Sequence, residues 1–149
     1  MHVIRDRIEV MHGVNLDQLG RRPAAHYGTV TYTGLEQRID AYARELGLEP
    51  RFFVTNSESE FVEHLHGLDD LADGIVVNPG AWTHYAWAIR DALEIAALPT
   101  VEVHLSAVDE REDWRRVSVV RDLCVATVSG RGVEGYRDAL AILKEHLST

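Results

Sequence analysis

Strand-like runs alternate with amphipathic segments of helical period along the whole 149-residue chain, and no other feature constrains its fold as strongly. "RIEVMH" (7–12), "PRFFVTN" (50–56), "GIVVN" (74–78), the segment 99–106 and "DLCVATV" (122–128) read as strands. Between them, "TGLEQRIDAYARELGL" (33–48) brings Leu35, Ile39, Tyr42 and Leu46 onto one helical face, with Thr33 and Glu36 as a capping box. Ser57 and Glu60 form a second such box ahead of Phe61, Leu65 and Leu68. "THYAWAIRDALEIAAL" (83–98) turns Ala86, Ile89, Leu93 and Ala96 to one side, and a last helix carries Tyr136, Leu140, Leu143 and Leu147. A hydrophobic content of 46% is enough to bury one core, and the length suits a single domain over residues 1–149.

Strands that alternate with helices form βαβ units, hence an α/β fold with a parallel sheet and helices on both faces. Five strands predict a flavodoxin-like sheet of order 2-1-3-4-5, in which ligands bind beyond the carboxyl ends of the strands. That edge is where the unusual residues collect: Asn15 after the first strand, Asn56 after the second, Asn78 at the end of the third, His104 and Ser106 at the end of the fourth. One segment breaks the rhythm. "GVNLDQLGRRPAAHYGTVTY" (13–32) has no period of its own, and connectors of roughly twenty structureless residues usually serve as lids or binding loops. Arg21, Arg22 and Tyr27 on it favour a lid.

The net charge of −9, from 24 acidic and 15 basic residues, argues against a nucleic-acid binder, which needs a basic footprint. It leaves room for an anionic small substrate, because a few local arginines and backbone amides outweigh a distant field. The one cysteine, Cys124, reads as a small core residue; it precludes an intrachain disulfide and fits a reducing cytoplasm. The N-terminal "MHVIRDRIEV" lacks the apolar run of a signal peptide or a membrane span. A soluble cytoplasmic protein is expected.

In "TVEVHLS" the alternation puts Val101, Val103 and Leu105 on one face and Glu102, His104 and Ser106 on the other. A carboxylate two residues from an imidazole can hold one ring nitrogen and favour the imidazolium, so that the other nitrogen serves as a general acid; a satisfied polar pair in an interface is the alternative. A phenol such as Tyr27 becomes a usable base only if a cation such as Arg22 stabilises its phenolate, and ordinary loop packing is the alternative there. "NPGAWTH" (78–84) opens a helix after a strand, so its free amides with Asn78, Thr83 and His84 suit a hydroxylated or anionic ligand. Asn78 could also be a plain turn residue. Arg111 and Arg115 are four apart and would clamp a carboxylate from one helical face, or else lie on a solvated one. His84, Glu102 and His104 make a metal set only if the fold gathers them. No Walker loop or G-x-G-x-x-G is present, so a nucleotide cofactor has no support.

Four segments, "GVNLDQLGRRPAAHYG", "TNSESEFVEHLH", "VVNPGAWTHYAWAIRDAL" and "VEVHLSAVDEREDWRRVS", together resemble the type II dehydroquinases, the 3-dehydroquinate dehydratases of the shikimate pathway, over nearly the whole chain. The resemblance implies a flavodoxin-like subunit, trimers assembled into a dodecamer, and no metal or cofactor. It implies that Tyr27, activated by Arg22, removes a proton from C2 of a cyclic ketone, while Asn15 holds a water that stabilises the enolate. His104, oriented by Glu102, would protonate the departing C1 hydroxyl. The amides of Leu105 and Ser106 would hold the substrate carboxylate, and Asn78, His84 and Arg115 the ring hydroxyls, with Asp91 reaching in from a neighbouring subunit.

The chain departs from the family pattern around these positions. N-G-P-N-L reads His12-Gly13-Val14-Asn15-Leu16, the usual Glu-Pro after Arg22 is Pro23-Ala24, the Gln-Ser before Asn56 is Val54-Thr55, and H-[IL]-S-N ends in Ala107. Trp82, Tyr85 and Trp87 enlarge a segment usually built from smaller residues. Three alternatives follow: a paralog dehydrating a related ring such as an amino analogue, a catalytically dead binding or assembly module, and, more distantly, a metal-dependent hydrolase.

Overall fold

A computed structural model describes residues 3–149 of the protein. Five strands, β1 (Arg7–His12), β2 (Glu49–Val54), β3 (Gly74–Asn78), β4 (Thr100–His104) and β5 (Ala126–Ser129), form one sheet of order β2-β1-β3-β4-β5. Every neighbouring pair is parallel. The flavodoxin-like order expected from the alternation is the order observed. The chain leaves β1 towards one edge of the sheet and returns to β3 on its other side. The β1/β3 junction is therefore the switch point, where a crevice opens beyond the strand ends.

Helices cover both faces. On one, α2 (Tyr32–Glu45) and α5 (Glu134–Leu147) bury Leu35, Ile39 and Leu140 against Ile8, Val10, Val76 and Val103. On the other, α3 (Glu58–His66) and α4 (Trp87–Ala96) bury Phe61, Leu65, Ile89 and Leu93 against Met11, Ile75 and Val77. Each of these large side chains, fully removed from water, contributes about 1.5–3 kcal/mol.

Several boundaries differ from the sequence expectation, some because a distant contact decides the local geometry. The helix expected from Thr33 begins at Tyr32, capped by Thr31, whose hydroxyl accepts from the Gly34 amide at 3.1 Å. That earlier start brings the Tyr32 hydroxyl to within 3.1 Å of His12 Nδ1. The Ser57 cap is as expected, accepting from the Glu60 amide, but the Glu60 carboxylate accepts from Thr55 Oγ1 rather than closing the box. The continuous helix over 83–98 is instead a 3-10 turn, Gly80–His84, followed by α4 from Trp87. Long-range bonds hold that turn, including Val119 N–H to the Thr83 carbonyl at 2.7 Å. The fifth strand starts four residues later than expected, and Cys124 before it is only half-buried, its thiol bonded to the Val120 carbonyl and pushed up to about 12 by burial. The patternless segment 13–32 is not structureless: it holds a 3-10 turn, Leu16–Gln18, and the short helix α1 (Ala24–Tyr27).

One polar residue sits deep in the first core. His12, 0% exposed, ends β1 with its ring between the hydroxyls of Tyr32 and Tyr136. Burial pushes it down to about 3, from an ordinary 6.5. The unfolded chain therefore binds a proton below pH 6.5 that the folded chain does not, and stability falls as pH drops through that window. Urea unfolding between pH 6.5 and 4.5 should lose roughly 1.4 kcal/mol per pH unit from this residue. His12→Gln should flatten the curve by that slope; an unchanged slope would mean His12 is charged when folded.

Candidate active site

Two glycines let the loops after β1 and β3 cross at the switch point. A Cβ on Gly13 would lie 2.2 Å from the Pro79 carbonyl oxygen, and one on Gly80 (φ +67°) 2.5 Å from that of Val14. The Gly13 amide donates to the Asn78 carbonyl at 2.8 Å. Directly after this crossing Asn15 adopts a left-handed conformation, φ 68°, which Asn tolerates better than most residues. Its amide donates to Asn56 Oδ1 at 2.7 Å, and Asn56 is held in turn by Asp17 at 3.0 Å.

A cavity of about 130 Å³ opens there, lined by Asn15, Arg22, Tyr27, Asn78, His84, His104, Leu105, Ser106, Arg111 and Arg115 among others. Three arginines and two histidines face it, and none of its lining residues is acidic. In a chain of net charge −9, this is a local positive well suited to a small anion.

At one side lies the segment 13–32 with Arg22 and Tyr27. Arg22 Nη2 donates to Tyr27 Oη at 2.7 Å and Arg111 Nη1 to the same oxygen at 2.8 Å. Two guanidinium groups thus converge on one phenol oxygen. Arg111 also reaches Ser106 Oγ at 3.2 Å, while its buried Nε makes no hydrogen bond and lies 3.8 Å from Glu112 Oε1. The helical clamp expected of Arg111 and Arg115 does not form. They sit on separate short turns: Arg111 goes to Tyr27, and Arg115 pairs with Glu112 at 2.9 Å beside the cavity.

Behind the opposite wall lies Glu102, fully buried. Its carboxylate accepts from Thr83 Oγ1 at 2.5 Å, His104 Nε2 at 2.6 Å and Ser118 Oγ at 2.9 Å. Burial works to raise Glu102, but the hydrogen bond and charge of His104, with Thr83 and Ser118, outweigh it and hold the carboxyl below its ordinary value. The group is an anion with its lone pairs occupied, and it fixes His104 by Nε2 so that Nδ1 is the free nitrogen. His84 stacks on His104 at 6.4 Å between centroids and donates from Nδ1 to the Val117 carbonyl at 2.6 Å. Burial first, then the charges of His104 and Arg115, lower it, so neutral His84 offers Nε2 as an acceptor.

The amides of Leu105 and Ser106 donate to no acceptor among the described residues, although the carbonyls of both accept from Gly132 and Gly130 in the β5–α5 turn. Two adjacent unpaired N–H groups at a strand end make an anion site. Among the described residues no three His, Cys, Asp or Glu side chains gather as metal ligands. His84, Glu102 and His104 do not form such a set, since the Glu102 oxygens are taken by hydroxyls and the ring.

The chain is similar to known proteins in sequence and in fold. The family model of class II dehydroquinases matches residues 6–144. The chain belongs to the class II dehydroquinase family. It is 45% identical to a 3-dehydroquinate dehydratase of Thermotoga neapolitana over 93% of this chain and 94% of that one. A type II dehydroquinase from Propionibacterium acnes superposes with a TM-score of 0.90 at 40% identity, covering 95% of this chain and 98% of that one. A second from Butyrivibrio crossotus gives 0.87 at 35% identity, with 97% and 99% covered.

Of the residues expected from sequence, the fold brings Asn15, Arg22, Tyr27, Asn78, His84, His104, Leu105, Ser106 and Arg115 to this dehydroquinase cavity, with Glu102 directly behind it. Asp91 is exposed on α4 and does not line it. The residue whose role sequence reasoning missed is Arg111. It was visible as half of an i,i+4 pair, but nothing local announces a partner 84 positions away. The glycine crossing yields a prediction. Gly13→Ala should destabilise by at least about 3 kcal/mol, because backbone and not a flexible side chain meets the new methyl. Gly67→Ala, with its nearest neighbour at 3.9 Å, should shift thermal unfolding little.

Proposed function

We propose that this protein is a type II 3-dehydroquinate dehydratase, eliminating water from 3-dehydroquinate through an enolate to give 3-dehydroshikimate in aromatic amino-acid biosynthesis. One observation carries the reading: a phenol oxygen held by two guanidiniums and an imidazole backed by a buried carboxylate line the same small positive cavity. Tyr27, its negative charge stabilised by Arg22 and Arg111, takes the C2 proton as base. Asn15 holds the water that stabilises the enolate. His104 delivers a proton to the leaving C1 hydroxyl, with Glu102 stabilising the imidazolium that precedes the transfer. The substrate carboxylate accepts from the Leu105 and Ser106 amides, and Asn78, His84 and Arg115 bind ring hydroxyls. No step calls for a cofactor.

The departures from the family pattern bear on the choice of ring. Of His12, Val14, Pro23, Ala24, Val54, Thr55, Trp82, Tyr85, Trp87 and Ala107, only Val14 lines the cavity. The surface that meets the ring is thus otherwise unaltered, which favours dehydroquinate over an amino analogue.

The active unit is a homo-oligomer of trimers in a dodecamer. Asp91 fits this reading: it is exposed on α4 and outside the cavity lining of its own chain, so that a neighbouring subunit's Asp91 would complete the site. The enzyme acts in the cytoplasm, a reading supported by a lone unpaired cysteine and by the absence, among the described residues, of a helix long and apolar enough to cross a membrane.

Purified protein should convert 3-dehydroquinate to a product with conjugated-enone absorbance. Folded, assembled protein that leaves the substrate unchanged would overturn the assignment. Tyr27→Phe and His104→Ala should each lower kcat by about 10²–10⁴-fold, the range for removing a general base or acid. A fully active Tyr27→Phe would remove the proposed base.

A further inference from the structure

The active-site wall is connected to the core by a buried polar chain for which the proposed reaction has no use. Asn78, which the proposed function assigns to a ring hydroxyl, is only 3% exposed and has two inward partners. Its Oδ1 accepts from the Gly80 amide at 3.1 Å, and its Nδ2 donates to Tyr136 Oη at 3.0 Å. The Gly80 bond settles the orientation of the amide, because a backbone N–H can only donate. Tyr136 Oη then meets His12 Nε2 at 2.9 Å, and His12 Nδ1 meets Tyr32 Oη at 3.1 Å. His12 is paired in register with Asn78 across the β1/β3 ladder, so the two side chains emerge side by side from the sheet.

We infer that His12 is a positioning residue for Asn78: its neutral ring fixes the direction of a hydrogen-bond chain, Asn78 to Tyr136 to His12 to Tyr32, that locks the Asn78 amide for a substrate hydroxyl. This rests on the role of Asn78 proposed above. The direction follows from counting protons. Asn78 donates to Tyr136 Oη, and among the described residues that buried hydroxyl has no other partner than His12. Tyr136 must therefore give its own proton to Nε2, and the ring carries its hydrogen on Nδ1, donating to Tyr32. Burial keeps both His12 and Tyr136 uncharged, so each has one proton to give and the chain cannot run both ways at once. Tyr32, partly exposed and facing Glu36, is the outlet. One Asn78 N–H is left for the cavity. If the ring lost its acceptor nitrogen, the Tyr136 hydroxyl could turn its proton towards Asn78 Nδ2, and this donor-to-donor contact would push against the orientation that the Gly80 amide sets.

Two measurements test this. Nitrogen NMR of the imidazole in the ligand-free protein should find His12 protonated at Nδ1 alone at pH 6–8, whatever the substrate; an Nε2-protonated or doubly protonated ring overturns the chain. The second is a cycle on kcat/KM for 3-dehydroquinate with His12→Leu, Asn78→Ala and the double variant. His12→Leu should lower kcat/KM about tenfold, mainly through KM, and His12→Gln, which keeps a donor and an acceptor, should retain more. In the Asn78→Ala background the same change should cost less than about twofold. Losses that multiply would show His12 acting on the fold at large and overturn the inference. If His12→Leu does not fold, Tyr136→Phe, which removes only a hydroxyl, takes its place in the cycle. Turnover absent from the unaltered protein would overturn the parent reading, and Asn78→Ala without loss would remove the role of Asn78. The two failures are separable from an incorrect chain direction, which the NMR measurement reads alone.

Discussion

A buried carboxylate decides where this molecule can be rigid. Glu102 has no exposure at all, so its charge is tolerable only if its oxygens are matched by donors. Those donors come from the 3-10 turn after β3 (Thr83), the loop before β5 (Ser118) and its own strand (His104). Satisfying one anion thus ties three segments of chain to the end of β4. The imidazole it orients is thereby fixed in one wall of the cavity. The segment 13–32 is tied to the cavity by Arg22 and Arg111 through a single oxygen, that of Tyr27.

The electrostatic layout is economical. The protein as a whole is acidic, yet its crevice presents arginines, histidines and unpaired amides without a lining carboxylate. Glu102 stays one layer behind, its charge met by His104, Thr83 and Ser118. At the same edge the His12 chain gives the Asn78 wall a second layer built only of neutral groups.

Much of this was legible in the linear pattern. Apolar periods fixed the five strands and their helices, and period-two alternation on 100–106 separated Glu102 and His104 from the core valines, as found. The Ser57 cap was legible because it is local. Illegible features share one cause, a partner far along the chain. Thr31 displaces Thr33 as cap when Tyr32 is drawn to His12, the 83–98 pattern breaks where Thr83 is claimed by Glu102, and Arg111 leaves its i,i+4 companion for Tyr27.

The sequence by itself determined the alternating architecture and the identity of the groups at its carboxyl edge, since periodicity and residue type are properties of short stretches, while the sheet order followed from how chains of βαβ units wind. Only the tertiary structure decided which of those groups touch: that two arginines share one phenol, that a histidine in the core reaches the cavity through a tyrosine, and that Asp91 does not line the cavity of its own chain. Hydrogen bonds and ion pairs act over about 3 Å, and which side chains come that close is set by how helices and strands pack, not by their spacing along the chain.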